Sequence, residues 1–537
     1  MATSSVAQSS SGSVSSVGSV SSVGSVNLQG HITFDNVKPK TIGFKALLDY
    51  GDIQSKPARF VTVELLDSLN NLITSTQADG NGFYQFSVAP NRAVKVRARA
   101  ALNSANYSIS LKDNTANSAA YVLDGSLAGS GANAVQTRDL HASLGWDNSV
   151  NKYTGQRQSA PFAILDTLYD SVAMVLAANN AIVLPVLTVF WSPKNVAANG
   201  NFNEGFIGSS LYSTGGVVAI YVLGDEDDDT DEFDVSVLQH EFGHFIEDSV
   251  SRSESIGGNH TIGEPVDMRV AFGEGFGNAF ASMSSNDPVY KDTGGPGQNS
   301  GFYFSLENNN QGKGYYNEGV VHAFLWDIFD TNNDSPDTLS LGFAPILAAI
   351  MADNFINFEG FATLYSFISA LKTQQPSATA AFNSLLNYHD IKGTDAYGTG
   401  EANTGGVAIS LPIYHRLSAG QSVQVCSNNN LQEYNGLEVM RFILLDITAA
   451  GNYTIKAQRV SGITPSNPDF ALYRRGVYSG ARALSTADSE TWTRAFSADI
   501  YALTVVEASN TDETDLIIGS RPKTGGLVCF SVSLTRS

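Results

Sequence analysis

His240-Glu241-Phe242-Gly243-His244, set between Val235 and Ile246, is the stretch on which the reading of this chain turns. It has the form H-E-x-x-H. On a helix, positions i and i+4 share a face, so His240 and His244 can reach one cation. Glu241 lies about 100° round from His240, off the ligand axis, where its carboxylate can take a proton from water activated by a metal. Val235, Leu238, Phe242, Phe245 and Ile246 recur at three- and four-residue spacing on the opposite side, so the helix can bury one face and turn the other to a cleft. A pattern this short also arises by chance. The plainer alternative is a helix with two surface histidines and a solvated glutamate.

A third ligand separates the two readings. Downstream runs Ala271-Phe272-Gly273-Glu274-Gly275-Phe276-Gly277-Asn278-Ala279-Phe280. As a helix it places Glu274 and Asn278 on one face and Phe272, Phe276, Ala279, Phe280 and Met283 on the other. A lone glutamate in so apolar a segment is costly to bury without a partner, and a cation is a natural one. Gly273, Gly275 and Gly277 weaken the helix, a cost that makes sense where another helix must come close. Otherwise this is a glycine-rich helix with a solvated glutamate. Two histidines and one glutamate leave a fourth position open for water, which marks a catalytic zinc site and not a closed structural one.

In this order the motifs resemble the gluzincin peptidases, the thermolysin-like group. The G-E-G-F-G-N of residues 273–278 is similar to the G-E-G-W-S-D of fungalysins. Asn317-Glu318-Gly319-Val320-Val321-His322-Ala323 is similar to their N-E-V-H-A and to the G-G-V-H of thermolysin. The likeness covers roughly residues 160–395. It implies zinc held by His240, His244 and Glu274, Glu241 as general base, and His322 as the donor to the oxyanion of the tetrahedral intermediate. The chain departs from the pattern twice. Asn278 stands where an aspartate usually orients the first histidine; an amide accepts that hydrogen bond without charge. No tyrosine lies between His244 and Glu274, where thermolysin has a second oxyanion donor. Tyr315 or Tyr316 is a candidate substitute, or an ordinary packing aromatic. His322 itself sits in an apolar run with Phe324, Leu325, Trp326, Ile328 and Phe329 that alone reads as a buried helix with a core histidine.

Composition places this chemistry outside the cytoplasm. With 537 residues the chain exceeds a single core and calls for several domains. Only 15% of residues are charged, while Gly, Ser, Thr and Asn abound, a balance common in secreted β-rich proteins. A net charge of −21 argues against nucleic acid or an anionic membrane as partner. No stretch reaches the ~18 uninterrupted apolar residues of a membrane span. Of the two cysteines, Cys426 and Cys529, one disulfide in a C-terminal domain is the simplest reading and two buried thiols the alternative. No signal peptide is visible at the N-terminus. Instead S-V-S-S-V-G repeats at 13–18 and 19–24, a low-complexity tract expected to be a disordered tether over residues 1–27. Such tracts follow the acylated cysteine of bacterial lipoproteins, which points to a mature form tethered to a surface through its N-terminus.

Alternating runs Phe60–Leu65, Asn71–Ser75, Phe83–Val88 and Ala93–Ala98 predict an all-β sandwich over residues 28–112, similar to prealbumin-like domains beside secreted peptidases. A polar connecting segment spans 113–158. The catalytic domain follows over 159–400, with strand-like runs Val186–Trp191 and Val217–Leu223; the second, in thermolysin-like folds, is the edge that pairs extended substrate. Residues 410–537 return to strands and resemble the bacterial pre-peptidase C-terminal domain, most of all in Asn467-Pro468-Asp469-Phe470-Ala471-Leu472-Tyr473. The expected fold is therefore multidomain: an α+β thermolysin-like catalytic domain with a mainly helical C-terminal half, flanked by two all-β sandwiches.

Two acidic clusters are candidate calcium sites. The segment 225–234 leads into the histidine helix, with Asp234 near its cap, and otherwise reads as a solvated acidic lead-in. Asp330-Thr331-Asn332-Asn333-Asp334 spaces oxygens as calcium loops do but lacks the glycine and glutamate of an EF-hand. The combined expectation is a secreted or cell-surface zinc endopeptidase acting on protein or peptide substrates, with Zn²⁺ as cofactor and Ca²⁺ as a second candidate. The rival readings are a surface binding or adhesion protein that keeps a metal-bound peptidase fold, and a hydrolase of the same fold restricted to glycosylated proteins.

Overall fold

Alternation of buried and open side chains builds the first part of the chain. Strand Val26–Asn36 buries Val26, Leu28, Ile32 and Phe34 and turns their neighbours outward. It pairs antiparallel with Gln54–Pro57 and Phe83–Val88 and parallel with Val135–Thr137 and Leu140–Ala142. The computed structural model describes residues 24–307, 312–332, 335–431, 433–484, 488–511 and 525–537. Most of the tether expected over residues 1–27 lies outside them, and the first strand begins at Val26.

The expected separate N-terminal sandwich beside a mainly helical thermolysin-like half is not what the chain forms. The described chain is 35% strand and only 24% helix. One ten-stranded sheet joins the two regions that the sequence reading kept apart. Its order runs Leu211–Ser213, Ala219–Val222, Val186–Trp191, Ser108–Asp113, Ala93–Asn103, Val61–Leu66, Leu72–Gln77. The join is parallel, with Val186 opposite Ser108 and Val189 opposite Leu111. Short strands of the 113–158 segment, such as Val122–Asp124 and Leu140–Ala142, pair back onto the N-terminal strands and do not form a free connection. Helix α1 (Ala160–Ala178) packs on Val26–Asn36, Ala93–Asn103 and Ser108–Asp113, so both regions share one core. By length and hydropathy α1 could cross a membrane, but 61% of it is buried inside the protein, as befits a core helix.

The run Val217–Leu223, expected at the sheet edge, lies inside the sheet. Ala219–Val222 has partners on both sides, Val186–Trp191 and Leu211–Ser213. The outer strand is Leu211–Ser213.

Helix α2 (Val235–Val250) packs against the outer strands of this sheet, α3 (Met268–Ser285) packs on α2, and α4 (Glu318–Phe329) on α3. Four shorter helices between Phe343 and Tyr388 cover them. The C-terminal segment is a β-sandwich of a five-stranded and a four-stranded sheet with its own core, including Leu417, Ile443, Ile455, Leu503 and Phe530. Cys426 and Cys529 face each other on paired strands of the four-stranded sheet and are joined as a disulfide, the first of the two alternatives.

Candidate metal centre

Two helices with opposed glycines create the centre. α2 buries Leu238, Phe242, Phe245 and Ile246 and carries His240, Glu241 and His244 on its remaining face. α3 crosses it so closely that a Cβ on Gly243 would lie 3.2 Å from Gly277 Cα, and one on Gly277 would lie 2.8 Å from the His240 ring. On the other side of α3, a Cβ on Gly275 would meet Val321 of α4 at 2.5 Å. Gly275 and Gly277 thus each admit a neighbouring helix, and Glu274 and Asn278 are brought up to the histidines.

His240 Nε2 lies 3.3 Å and His244 Nε2 3.5 Å from the same oxygen, Glu274 Oε2, and the two imidazole nitrogens are 3.0 Å apart. Zinc ligands at 2.0–2.2 Å in a tetrahedron stand about 3.3–3.6 Å from one another, close to the spacing of these three atoms, which could hold a metal ion. Asn278 Oδ1 is 2.9 Å from His240 Nδ1. The amide accepts the ring N–H and leaves Nε2 facing the cluster, as an orienting partner of a metal-ligating histidine would. Burial opposes charge on His244, but the Glu274 carboxylate outweighs it and lifts its pKa to about 9. Burial would raise Glu274 in turn, yet the surrounding histidines hold it well below the usual carboxylate range. The cluster therefore demands positive charge beside Glu274, from protons or from a cation on neutral imidazoles.

Glu241 sits beside the cluster with its Oε2 accepting from Tyr212 N of the outer strand at 2.6 Å. Its pKa is raised, first by burial. It lines a cavity of about 550 Å³ together with His240, His260, Tyr290, Phe302 and Phe304.

His260, which the sequence reading did not single out, points into this cavity from the irregular loop between α2 and α3. Its Nδ1 is 2.6 Å from Glu318 Oε2 in the first turn of α4, and its Nε2 is 3.3 Å from Glu274 Oε2. Burial disfavours its charge, but hydrogen bonds to Glu274 and Glu318 lift its pKa to about 11. The loop is pinned from the C-terminal segment: Asn435 Nδ2 donates to Gly257 O at 2.9 Å and to Asn259 O at 3.0 Å, and Tyr434 Oη to Ile256 O at 2.9 Å. No local pattern announces His260. Only the buried Glu318, an acid inside an apolar helix, hinted that a cationic partner was needed.

The structure does not bring His322 to the cavity wall. It is 2% exposed, stacked on Phe304 with ring centroids 5.3 Å apart, one layer behind the lining. Its Nδ1 has no hydrogen-bond partner, and burial lowers its pKa to about 3. Tyr315 and Tyr316 also lie away from the cavity. Tyr315 is buried against Tyr316 and Tyr365, and Tyr316 Oη donates to Asn403. The tyrosines that line the cavity are Tyr290 and Tyr303.

A second cluster adjoins the same cavity, with Asp229, Asp231 and Asp292 in its wall and Asp234 buried behind them. Asp229, Asp231, Asp234 and Asp292 each bring a carboxylate oxygen within 4.8 Å of the others. Asp234 stands at the start of α2 but does not cap it; its carboxylate accepts instead from Thr293 N at 2.8 Å. Burial, then mutual repulsion, raises Asp229 to about 8 and Asp231 and Asp234 well above the ordinary range. Asp231, 3% exposed, keeps one oxygen on Ser210 and the other without a partner. Of the second calcium candidate, Asn333 and Asp334 lie outside the described residues.

No known protein family matches the chain, and no curated protein does. Among solved structures, a pre-peptidase C-terminal domain of a collagenase from Bacillus anthracis is similar at 11% identity over 23% of this chain and 94% of its own, with a TM-score of 0.17. A periplasmic inhibitor of g-type lysozyme from Aeromonas hydrophila is similar at 12% identity over 23% of this chain and 97% of its own, TM-score 0.14. A cycloisomaltooligosaccharide glucanotransferase of Paenibacillus aligns at 8% identity over 94% of this chain and 72% of its own, TM-score 0.13. Likenesses this faint carry no argument about the site.

Proposed function

We propose that the chain is a zinc-dependent endopeptidase, gluzincin-like in its ligand set, that acts on protein or peptide substrates outside the cytoplasm. The observation that carries the reading is the convergence of His240 Nε2, His244 Nε2 and Glu274 Oε2 at 3.0–3.5 Å beside a buried Glu241 on an open cavity. The donor set suits zinc, and Asn278 supports it as a hydrogen-bond acceptor to the first histidine. Zinc, when bound, supplies Lewis acidity to a carbonyl and to water.

The rest is the work of this chain's own side chains. Glu241 takes the proton from the attacking water and passes it to the leaving amine. His260, its Nδ1 engaged by Glu318, turns Nε2 toward the cluster, and that N–H, 3.3 Å from Glu274 Oε2 here, would turn from the carboxylate to the oxyanion when Glu274 is engaged as a ligand. That role fits His260 better than His322, which lies behind Phe304. The outer strand Leu211–Ser213, beside Glu241, offers a backbone edge along which an extended peptide can pair. Asp229, Asp231, Asp234 and Asp292 form an all-oxygen set suited to calcium, and the unpartnered, buried Asp231 oxygen supports that assignment. The Cys426–Cys529 disulfide favours an oxidising, extracellular setting.

The test is digestion of a proteome-derived peptide pool, read by mass spectrometry, with and without chelator. Zinc-loaded protein should cleave, chelator should stop it, and Glu241→Gln should keep its zinc while losing cleavage. Zinc-loaded protein that binds peptides without cleaving them would leave a binding protein.

A further inference from the structure

A second cavity, of about 440 Å³, lies apart from the histidines. Its walls come from the loop at Tyr50–Gly51, the hairpin Trp146–Tyr153, and the loops at Glu226–Asp227 and Pro296–Asn299. Its size is that of a small-molecule site, and three aromatic rings meet at its base. Tyr50 and Trp146 stack at 3.6 Å between centroids, and Tyr153 meets Trp146 edge-on at 5.1 Å.

These rings do not form a cage for a cation. Tyr50 is nearly buried, with its ring covered by Trp146. Tyr153 already has the Arg157 guanidinium 4.7 Å from its centroid. Trp146, half-buried, remains as a single flat platform, held at its indole N–H by Asn148 Oδ1 at 2.9 Å. Around the platform stand Asn148, Asn151 and Asn299, with Glu226, Asp227 and Lys152. An amide offers both donor and acceptor, and a carboxylate accepts twice, so this rim matches vicinal hydroxyl groups. Two carboxylates against one amine disfavour an anion, and a rim this polar disfavours a lipid.

We propose that this cavity binds a neutral carbohydrate, one or two sugar rings stacked on Trp146 with their hydroxyls bonded to the asparagine and acidic rim. The site stands whether or not the histidine cluster cleaves peptides. The same loops reach toward the acidic cluster, since Gly295 N donates to Asp228 O at 2.8 Å, so a glycan held here would lie on the side of the molecule that carries Asp229 and Asp292.

The test uses the full chain on a printed array of neutral and sialylated glycans, followed by titration of the best neutral oligosaccharide with tryptophan fluorescence and calorimetry. Binding is expected to neutral glycans, with a change in tryptophan emission. Affinity should fall several-fold, to about tenfold, in Trp146→Ala, a loss in the range of an aromatic stacking contact. Because that variant removes packing from Tyr50, the near-isosteric Glu226→Gln/Asp227→Asn double variant, which leaves the platform in place, should also weaken binding several-fold. Overturning results are no glycan bound by the native chain, selective capture of sialylated glycans, binding unchanged in both variants, or displacement of the sugar by free lysine or arginine at equal concentration.

Discussion

Alanine at Gly277 would test whether His240 is held as a ligand must be. The added Cβ would fall 2.8 Å from His240 Cε1, 2.9 Å from Nδ1 and 3.0 Å from Nε2. Carbon contacts are comfortable at about 3.5–4.0 Å, so the ring or α3 must give way by roughly 0.5–1 Å. Either movement stretches the 2.9 Å contact between Nδ1 and Asn278 and swings Nε2 away from Glu274. Loss of such an orienting contact typically costs 10–100-fold in metal affinity. Helix propensity pushes the other way, because Gly→Ala inside a helix contributes about 0.5–1 kcal/mol. The two effects separate by assay. Zinc affinity, measured by competition with a chromophoric chelator, should fall about 10–100-fold, while the Tm in excess chelator should change little. Gly275→Ala is the contrast: its Cβ would meet Val321 at 2.5 Å and Glu318 O at 2.8 Å, so it should lower Tm by wedging α4 from α3. If Gly277→Ala bound zinc as tightly as the native chain, neither the α2–α3 approach nor His240 would be setting the metal site.

Further outcomes follow from the same geometry. His260→Ala should keep its zinc and lose about 10²–10³ in kcat, whereas His322→Phe should retain kcat; the reverse pattern would return the donor role to His322. Burial holds His322 at about 3 against an ordinary 6.5, so it is neutral when folded and takes a proton when unfolded in mild acid. Its contribution is thus complete above pH 6.5 and is lost as pH falls toward 3, about 2 kcal/mol at pH 5. Urea midpoints at pH 7.5 and 5 should show that loss in the native chain and less of it in His322→Phe; equal losses would mean His322 is not buried neutral. Asn435→Ala should lower kcat more than it raises KM with zinc retained, since it frees the loop bearing His260; unchanged kinetics would make the contact merely structural. Reducing the Cys426–Cys529 bond, which closes a separation of 103 residues, should cost the sandwich about 2–5 kcal/mol without altering zinc affinity.

What could be read in the sequence was what local geometry determines. His240, Glu241 and His244 owe their convergence to one helical turn, and Glu274 and Asn278 to another. Glycines at 275 and 277 marked where neighbouring helices come close, as the Val321 and His240 contacts show, whereas Gly273 faces the Ser255 side chain of the loop after α2. The strand character of residues 410–537 was legible because runs of β-branched and apolar residues are a local signal, and strands such as Ser422–Ser427 and Arg441–Ile447 form there. The shared sheet was not legible. Parallel pairing of Val186 with Ser108 leaves no mark in either strand, and a buried parallel strand reads as an apolar run with no stated partner. His260 was missed for a similar reason, since its place depends on Glu318 and on Tyr434, 178 residues from the loop carbonyl it binds. The acidic lead-in was visible, but not that it turns inward to meet Asp292, so a solvated segment and a buried carboxylate cluster looked alike.

The C-terminal sandwich bears on the metal centre through the helix that needs the most help. Three glycines in α3 cost about 2–3 kcal/mol of helix propensity, and the helix begins beside the loop that carries His260. Its first turn is tied down from outside. Asp267 caps the Arg269 N–H and pairs with its guanidinium at 2.8 Å. That guanidinium lies 4.7 Å from the Phe361 ring and 5.0 Å from Phe442, a residue of the sandwich strand Arg441–Ile447. Asn435 O accepts from Asp267 N at 2.7 Å, and Leu437 N donates to Pro265 O at 3.0 Å. One short stretch of the C-terminal segment thus holds both the start of the Glu274 helix and the loop that presents His260. A sandwich with its own core could fold beside the rest as a passive appendage, but these bonds run to backbone atoms on either side of the candidate site. On the proposed function, its docking removes freedom from the two elements that would hold Glu274 as a ligand and His260 as the oxyanion donor, positions that tolerate little displacement.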